Sequence, residues 1–125
     1  MKKITLITGS RADYGLLRSV IEGIEKSNKL KLSLIVTGMH LSNEFGLTIS
    51  EIEKDGFPIN KKIEMLVGSD TPSAITKSIG LGMIGFADAF KEIETDLLLV
   101  LGDRYEILSA VTSALISRIP VAHLH

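Results

Sequence analysis

Short apolar runs ending in glycine alternate with longer stretches of helical periodicity, and this alternation limits the chain to very few folds. Ile4-Thr5-Leu6-Ile7-Thr8 is β-branched and closed by Gly9. Leu32 to Thr37 is closed by Gly38, and Leu97-Leu98-Leu99-Val100-Leu101 by Gly102. Runs this short and continuous read as strands buried on both faces. Between them, Leu17, Val20, Ile21 and Ile24 recur at helical spacing, predicting a helix over residues 14–29. Shorter helices are predicted over residues 47–54 and 107–117, a weak strand over 59–65, and a last strand over 119–123. Strand–helix alternation of this kind predicts an α/β, Rossmann-like, doubly wound parallel sheet with right-handed crossovers and helices on both faces.

One stretch tests that scheme. Gly80-Leu81-Gly82-Met83-Ile84-Gly85 matches the dinucleotide fingerprint, which must follow a strand and open a helix. Here Thr71 reads as a helix cap and Pro72 as the first helical residue. Ile75, Ile79, Met83, Phe86 and Phe90 then continue one face straight through the glycines. The glycines are therefore expected inside a helix, offset by close approach of a neighbour, and no nicotinamide cofactor is expected.

In open parallel sheets, ligands bind beyond the carboxyl ends of the strands. Those ends carry Ser10, Arg11 and Asp13; then His40 and Ser42; then Asp103, Arg104 and Glu106; then His123 and His125. The loop from Gly9 to Gly15 lacks the Gly-Lys-Ser/Thr ending of a phosphate loop. Two readings stay open for it. It is an anion site built on Arg11 and a helix N-terminus, or a capping loop with Asp13 as cap and Arg11 solvated. No histidine pair has metal-ligand spacing, and neither Ser10 nor Ser42 sits in a nucleophile elbow, so neither a metal nor a serine triad is expected.

Composition removes further classes. The 125 residues contain no cysteine, which excludes a disulfide framework and a thiolate nucleophile. A net charge of −1 offers no basis for nucleic-acid or anionic-membrane partners. The apolar run after Met1-Lys2-Lys3 is too short for a signal peptide or a membrane span, so a cytoplasmic location is the default expectation.

Four motifs in order span the chain: Thr8-Gly9-Ser10-Arg11-Ala12-Asp13-Tyr14-Gly15-Leu16-Leu17, Val36-Thr37-Gly38-Met39-His40-Leu41-Ser42, Gly102-Asp103-Arg104-Tyr105-Glu106 and Pro120-Val121-Ala122-His123-Leu124-His125. Together they resemble the UDP-N-acetylglucosamine 2-epimerase family, and specifically its hydrolysing branch, which feeds sialic acid-type synthesis. The Arg-Ala-Asp-Tyr of the first motif is the version of that branch. The resemblance implies a GT-B-type fold of which residues 1–125 are the N-terminal domain, ending before a Gly-Gly-Glu motif and a second domain. It implies elimination of UDP from a UDP-sugar and rehydration of the glycal to N-acetylmannosamine or a modified relative, without a cofactor, in a protein that assembles with itself. The fragment alone is expected to be inactive. By the same resemblance Asp103, His40 and His123 are the expected catalytic residues, and Ser10, Arg11 and Arg104 the expected substrate-binding residues. Two rival readings are the acceptor domain of a GT-B glycosyltransferase and a flavodoxin-like binding module.

Overall fold

The computed structural model describes residues 1–41, 48–65, 69–102 and 104–124. Five strands form one parallel sheet: β1 (Lys2–Thr8), β2 (Leu30–Thr37), β3 (Lys61–Ile63), β4 (Leu97–Leu101) and β5 (Val121–Leu124). Their order across the sheet is β3-β2-β1-β4-β5. This is the Rossmann order, in which the winding reverses between β1 and β4. A flavodoxin-like sheet would have the third strand beside the first, so that rival reading is set aside.

Side-chain alternation divides each strand between two cores. Ile4 and Leu6 of β1, with Leu32, Leu34 and Val36 of β2, pack under helices α1 (Arg11–Lys26) and α2 (Ile49–Lys54). Ile7, Ile35, Leu98 and Val100 face the other way, against α3 (Pro72–Glu92) and α4 (Tyr105–Ile116). The expected doubly wound sheet is thus present, with helices on both faces.

Boundaries moved where local hydrogen bonding outweighed periodicity. Helix α1 starts at Arg11 because Ser10 caps it, earlier than the apolar pattern indicated. The third strand shrinks to Lys61–Ile63, in keeping with its weak alternation.

Helix α3 runs through the glycine cluster, capped by Thr71 with Pro72 at its start. Its buried residues, however, are Ala74, Ser78, Gly82, Phe86 and Ala89, one position away from the Ile75–Ile79–Met83 line expected from the sequence. Small side chains face inward because the neighbours come very close. A Cβ at Gly82 would lie 2.6 Å from Ser109 Oγ on α4, and one at Gly85 would lie 2.6 Å from Ile63 Cγ2 on β3. Gly80 has open space around it. Gly80→Ala is therefore expected to stabilise the chain by about 1 kcal/mol through helix propensity alone. Gly85→Ala should destabilise it by about 2 kcal/mol, since β-branched Ile63 has little freedom to yield. Urea unfolding of the two variants should move the midpoint in opposite directions.

Candidate functional site

The winding reversal puts a crevice at the carboxyl ends of β1 and β4, and Gly9, Gly38 and Gly102 open the segments that follow β1, β2 and β4 there. The loop after β1 is folded around Asp13. Its carboxylate accepts from Gly9 N–H at 3.1 Å, Ser10 N–H at 3.0 Å and Ser10 Oγ at 3.1 Å, all through Oδ2, and from Thr8 Oγ1 through Oδ1. Ser10 in turn accepts from Asp13 N–H at 3.3 Å, completing a capping box. Backbone donors that would cradle a phosphate in a phosphate-binding loop are here satisfied by the chain's own carboxylate. Burial pushes the Asp13 pKa up, and the four donors pull it partly back.

The cap of α1 is Ser10 rather than Asp13, which completes the box from position N3. Arg11 is exposed and pairs with Glu51 of α2 at 3.1 Å.

His40 lies in a 3-10 turn over Gly38–Leu41 and is completely buried. Its Nε2 is 2.9 Å from Thr8 Oγ1 and its Nδ1 2.7 Å from Thr48 Oγ1. Thr8 spends its only proton on Asp13, so it must accept from His40 Nε2–H. Nδ1 is then the acceptor for the Thr48 hydroxyl, and the ring is neutral. Burial lowers its pKa to about 4, with the Ser10 backbone and the Glu51 charge acting in the other direction. Tyr14 closes the pocket edge-on, 6.1 Å between ring centroids.

Arg104 is the N-cap residue of α4, and its guanidinium makes a two-point ion pair with Glu106: Nε to Oε2 at 3.0 Å and Nη2 to Oε1 at 3.3 Å. Arg104 also lies over the Tyr105 ring, 5.6 Å from its centroid. His123 is exposed on the edge strand β5 and hydrogen-bonds through Nε2 to the Gly102 carbonyl at 2.5 Å. A carbonyl only accepts, so Nε2 is the donor in this bond. Asp103 lies outside the described residues, as do Ser42 and His125.

The structure ties His123 to Gly102, two positions before Arg104, and makes Ser10 a loop-forming residue. His40 sits beneath the loop and touches it through Thr8. Sequence reasoning placed Glu106 at a strand end but gave it no role, and the structure buries it fully. A signal for it existed: an acidic residue two positions after an arginine at a helix start, opposite strands that both end in glycine. Among the described residues, no group of three His, Asp or Glu side chains could hold a metal ion, and no helix is long and apolar enough to cross a membrane.

The family model described as UDP-N-acetylglucosamine 2-epimerase matches residues 22–125. The chain belongs to that family. It is 43% identical over 123 residues to the GDP/UDP-N,N'-diacetylbacillosamine 2-epimerase (hydrolyzing) of Campylobacter jejuni, covering 98% of this chain and 32% of that one. It is 42% identical over 125 residues to the corresponding UDP-sugar enzyme of Legionella pneumophila, covering 100% and 33%. The chain spans about a third of the length of these epimerase relatives. In fold it is similar to the UDP-GlcNAc 2-epimerase of Methanocaldococcus jannaschii solved with UDP-GlcNAc and UDP, at TM-score 0.80 and 24% identity, over 98% of this chain and 32% of that one. The sheet described above is accordingly that of the GT-B-type epimerases.

Proposed function

We propose that residues 1–125 are the N-terminal domain of a hydrolysing UDP-sugar 2-epimerase, whose active site is completed by a second domain. The Arg104–Glu106 pair and the His123 bond to Gly102 at the carboxyl edge of the sheet, in a chain of this family, carry the reading. The reaction breaks the C1–O bond to UDP as the C2 proton is removed, leaving a 2-acetamidoglucal. Water then supplies a hydroxyl to C1 and a proton to the opposite face of C2, releasing the free 2-epimer.

The chemistry needs acid–base groups near C2 and a cation at the departing diphosphate. Asp103 and His123 Nδ1 fill the first need and Arg104 the second. Arg11 binds the nucleotide by exchanging its surface pair with Glu51, which is worth under about 1 kcal/mol, for a phosphate. Ser10 holds the loop that presents Arg11. His40, neutral and enclosed, serves catalysis by fixing Thr8 beneath that loop. No cofactor enters the scheme.

The relatives' names favour an N,N'-diacetylbacillosamine nucleotide as substrate, with nonulosonic acid synthesis as the setting and the cytoplasm as the site. The full-length protein assembles with copies of itself, for which Leu108, Leu115 and Ile116 of α4 and Ile84 of α3 provide exposed apolar side chains.

Incubating the full-length protein with UDP-N-acetylglucosamine or UDP-N,N'-diacetylbacillosamine in deuterated water tests the reaction. The expected products are UDP and an equal amount of free sugar, inverted at C2 and carrying deuterium there. Transfer of the sugar to an added acceptor without free epimer would instead establish the glycosyltransferase. The 125-residue chain alone should release no UDP.

A further inference from the structure

A carboxylate at a helix N-terminus gains from the helix dipole while staying in water, yet Glu106 turns inward and is only 1% exposed. The fold makes room for it from two sides. A Cβ at Gly9 would lie 3.4 Å from Glu106 Cγ, and a Cβ at Gly38 would lie 3.1 Å from Cγ and 3.3 Å from Cδ. The ends of β1 and β2 therefore both leave space for a side chain that starts on α4, after β4. Burying a carboxylate is costly unless it is paired and hydrogen-bonded, and Arg104 holds both of its oxygens, with the Tyr105 side chain also interacting with it.

Arg104 is held from several directions. Its carbonyl accepts from Ile107 and Leu108 N–H at 3.0 and 3.2 Å, its guanidinium is gripped by both Glu106 oxygens, and its plane rests over Tyr105. Half of the pair is buried and the other half is open, since Arg104 itself is exposed. Glu106 grips the guanidinium along its Nε–Nη2 edge. An exposed arginine without such a grip would sample many rotamers and lose that freedom on binding. One held in advance pays no such penalty when charge develops on the group that it faces.

We infer that Glu106 is a positioning residue: from inside the sheet edge it fixes the Arg104 guanidinium at the mouth of the crevice, set for an anionic leaving group. The catalytic consequence rests on the reaction proposed above; the positioning itself does not. Glu106 reaches no substrate atom, and it acts through Arg104.

Two readouts separate these levels. In nitrogen-15 spectra of the protein, Arg104 Nε–H should give a resolved, slowly exchanging signal that Glu106→Gln abolishes and Glu106→Asp partly keeps. In the full-length protein, Glu106→Gln should lower kcat for UDP release about tenfold or more with KM within about twofold, the pattern of an interaction made in the transition state. In an Arg104→Ala background the same substitution should change kcat by less than about twofold, because the two residues act as one unit. Glu106→Asp, which keeps the charge, should recover part of the loss, and a purely structural role predicts no such recovery. An unchanged Nε–H signal in Glu106→Gln would overturn the inference, as would kcat losses that multiply across the two backgrounds. If the wild-type protein releases no UDP, the proposed reaction fails, and the Arg104 signal alone decides the positioning.

Discussion

Gly38→Ala is expected to destabilise the chain by about 3 kcal/mol or more. Gly38 has φ +66°, in the left-handed region. An L-residue there costs about 1–2 kcal/mol before any contact is counted. The added Cβ would also lie 2.6 Å from the Gly9 carbonyl oxygen, which is backbone, and 3.1 Å from Glu106 Cγ. Neither neighbour can yield easily, since Gly9 is held by Asp13 and Glu106 by Arg104. Gly56 is the control: its φ is +83°, but nothing lies within 4 Å of the added carbon. Gly56→Ala should show the conformational cost alone, about 1–2 kcal/mol. Urea unfolding of both variants measures the difference. Equal losses would mean that the strand ends are looser than the packing around Glu106 indicates.

Acidification should unfold the protein through His40. Its pKa is about 4 in the folded chain against an ordinary 6.5. The unfolded chain therefore binds this proton more readily, so stability present above pH 6.5 is lost as pH falls from 6.5 towards 4. The full difference corresponds to about 3 kcal/mol. The chemical cause is specific. Burial without a counter-charge in contact disfavours the doubly protonated ring, which would also have to donate from Nδ1, so that the Thr48 hydroxyl would swing its hydrogen aside and accept. Asp13 has the opposite sign: burial raises its pKa, so its contribution falls as pH rises above the ordinary 3.8, and it offsets part of the histidine effect at the acid end. Urea unfolding between neutral pH and pH 5 should show the loss in the wild type and a much flatter profile in His40→Gln. Parallel profiles would assign the acid sensitivity to other groups.

Both effects arise within one knot of contacts. Asp13, Thr8 and His40 tie the first loop to the second, and Glu106 ties both to the start of α4. The same contacts that stabilise the sheet edge hold Arg104. Stability and proposed catalysis are coupled there, so substitutions in the knot need a folding measurement beside every rate.

Strand–helix alternation, legible in runs such as 4–8 and 97–101, was enough for the sheet class. The rule that ligands lie at the carboxyl ends then placed the crevice, and the four loop motifs led to the family. These features are local: a strand buried on both faces needs a continuous apolar run, and a turn needs glycine, whatever the partners are. Local pattern could not say which face of α3 lies inward, because Gly82 and Gly85 face inward for what stands opposite them, Ser109 and Ile63. Nor could it show that Asp13 fills the nest a phosphate would use, or that His40 is enclosed. Glu106 is the sharpest case. Beside Arg104 and Tyr105 it reads as an ordinary solvated residue of a first helical turn. It becomes a buried support only when β1, β2 and α4 meet. Burial of a charge depends on atoms far apart in the chain, and only the tertiary structure brings them together.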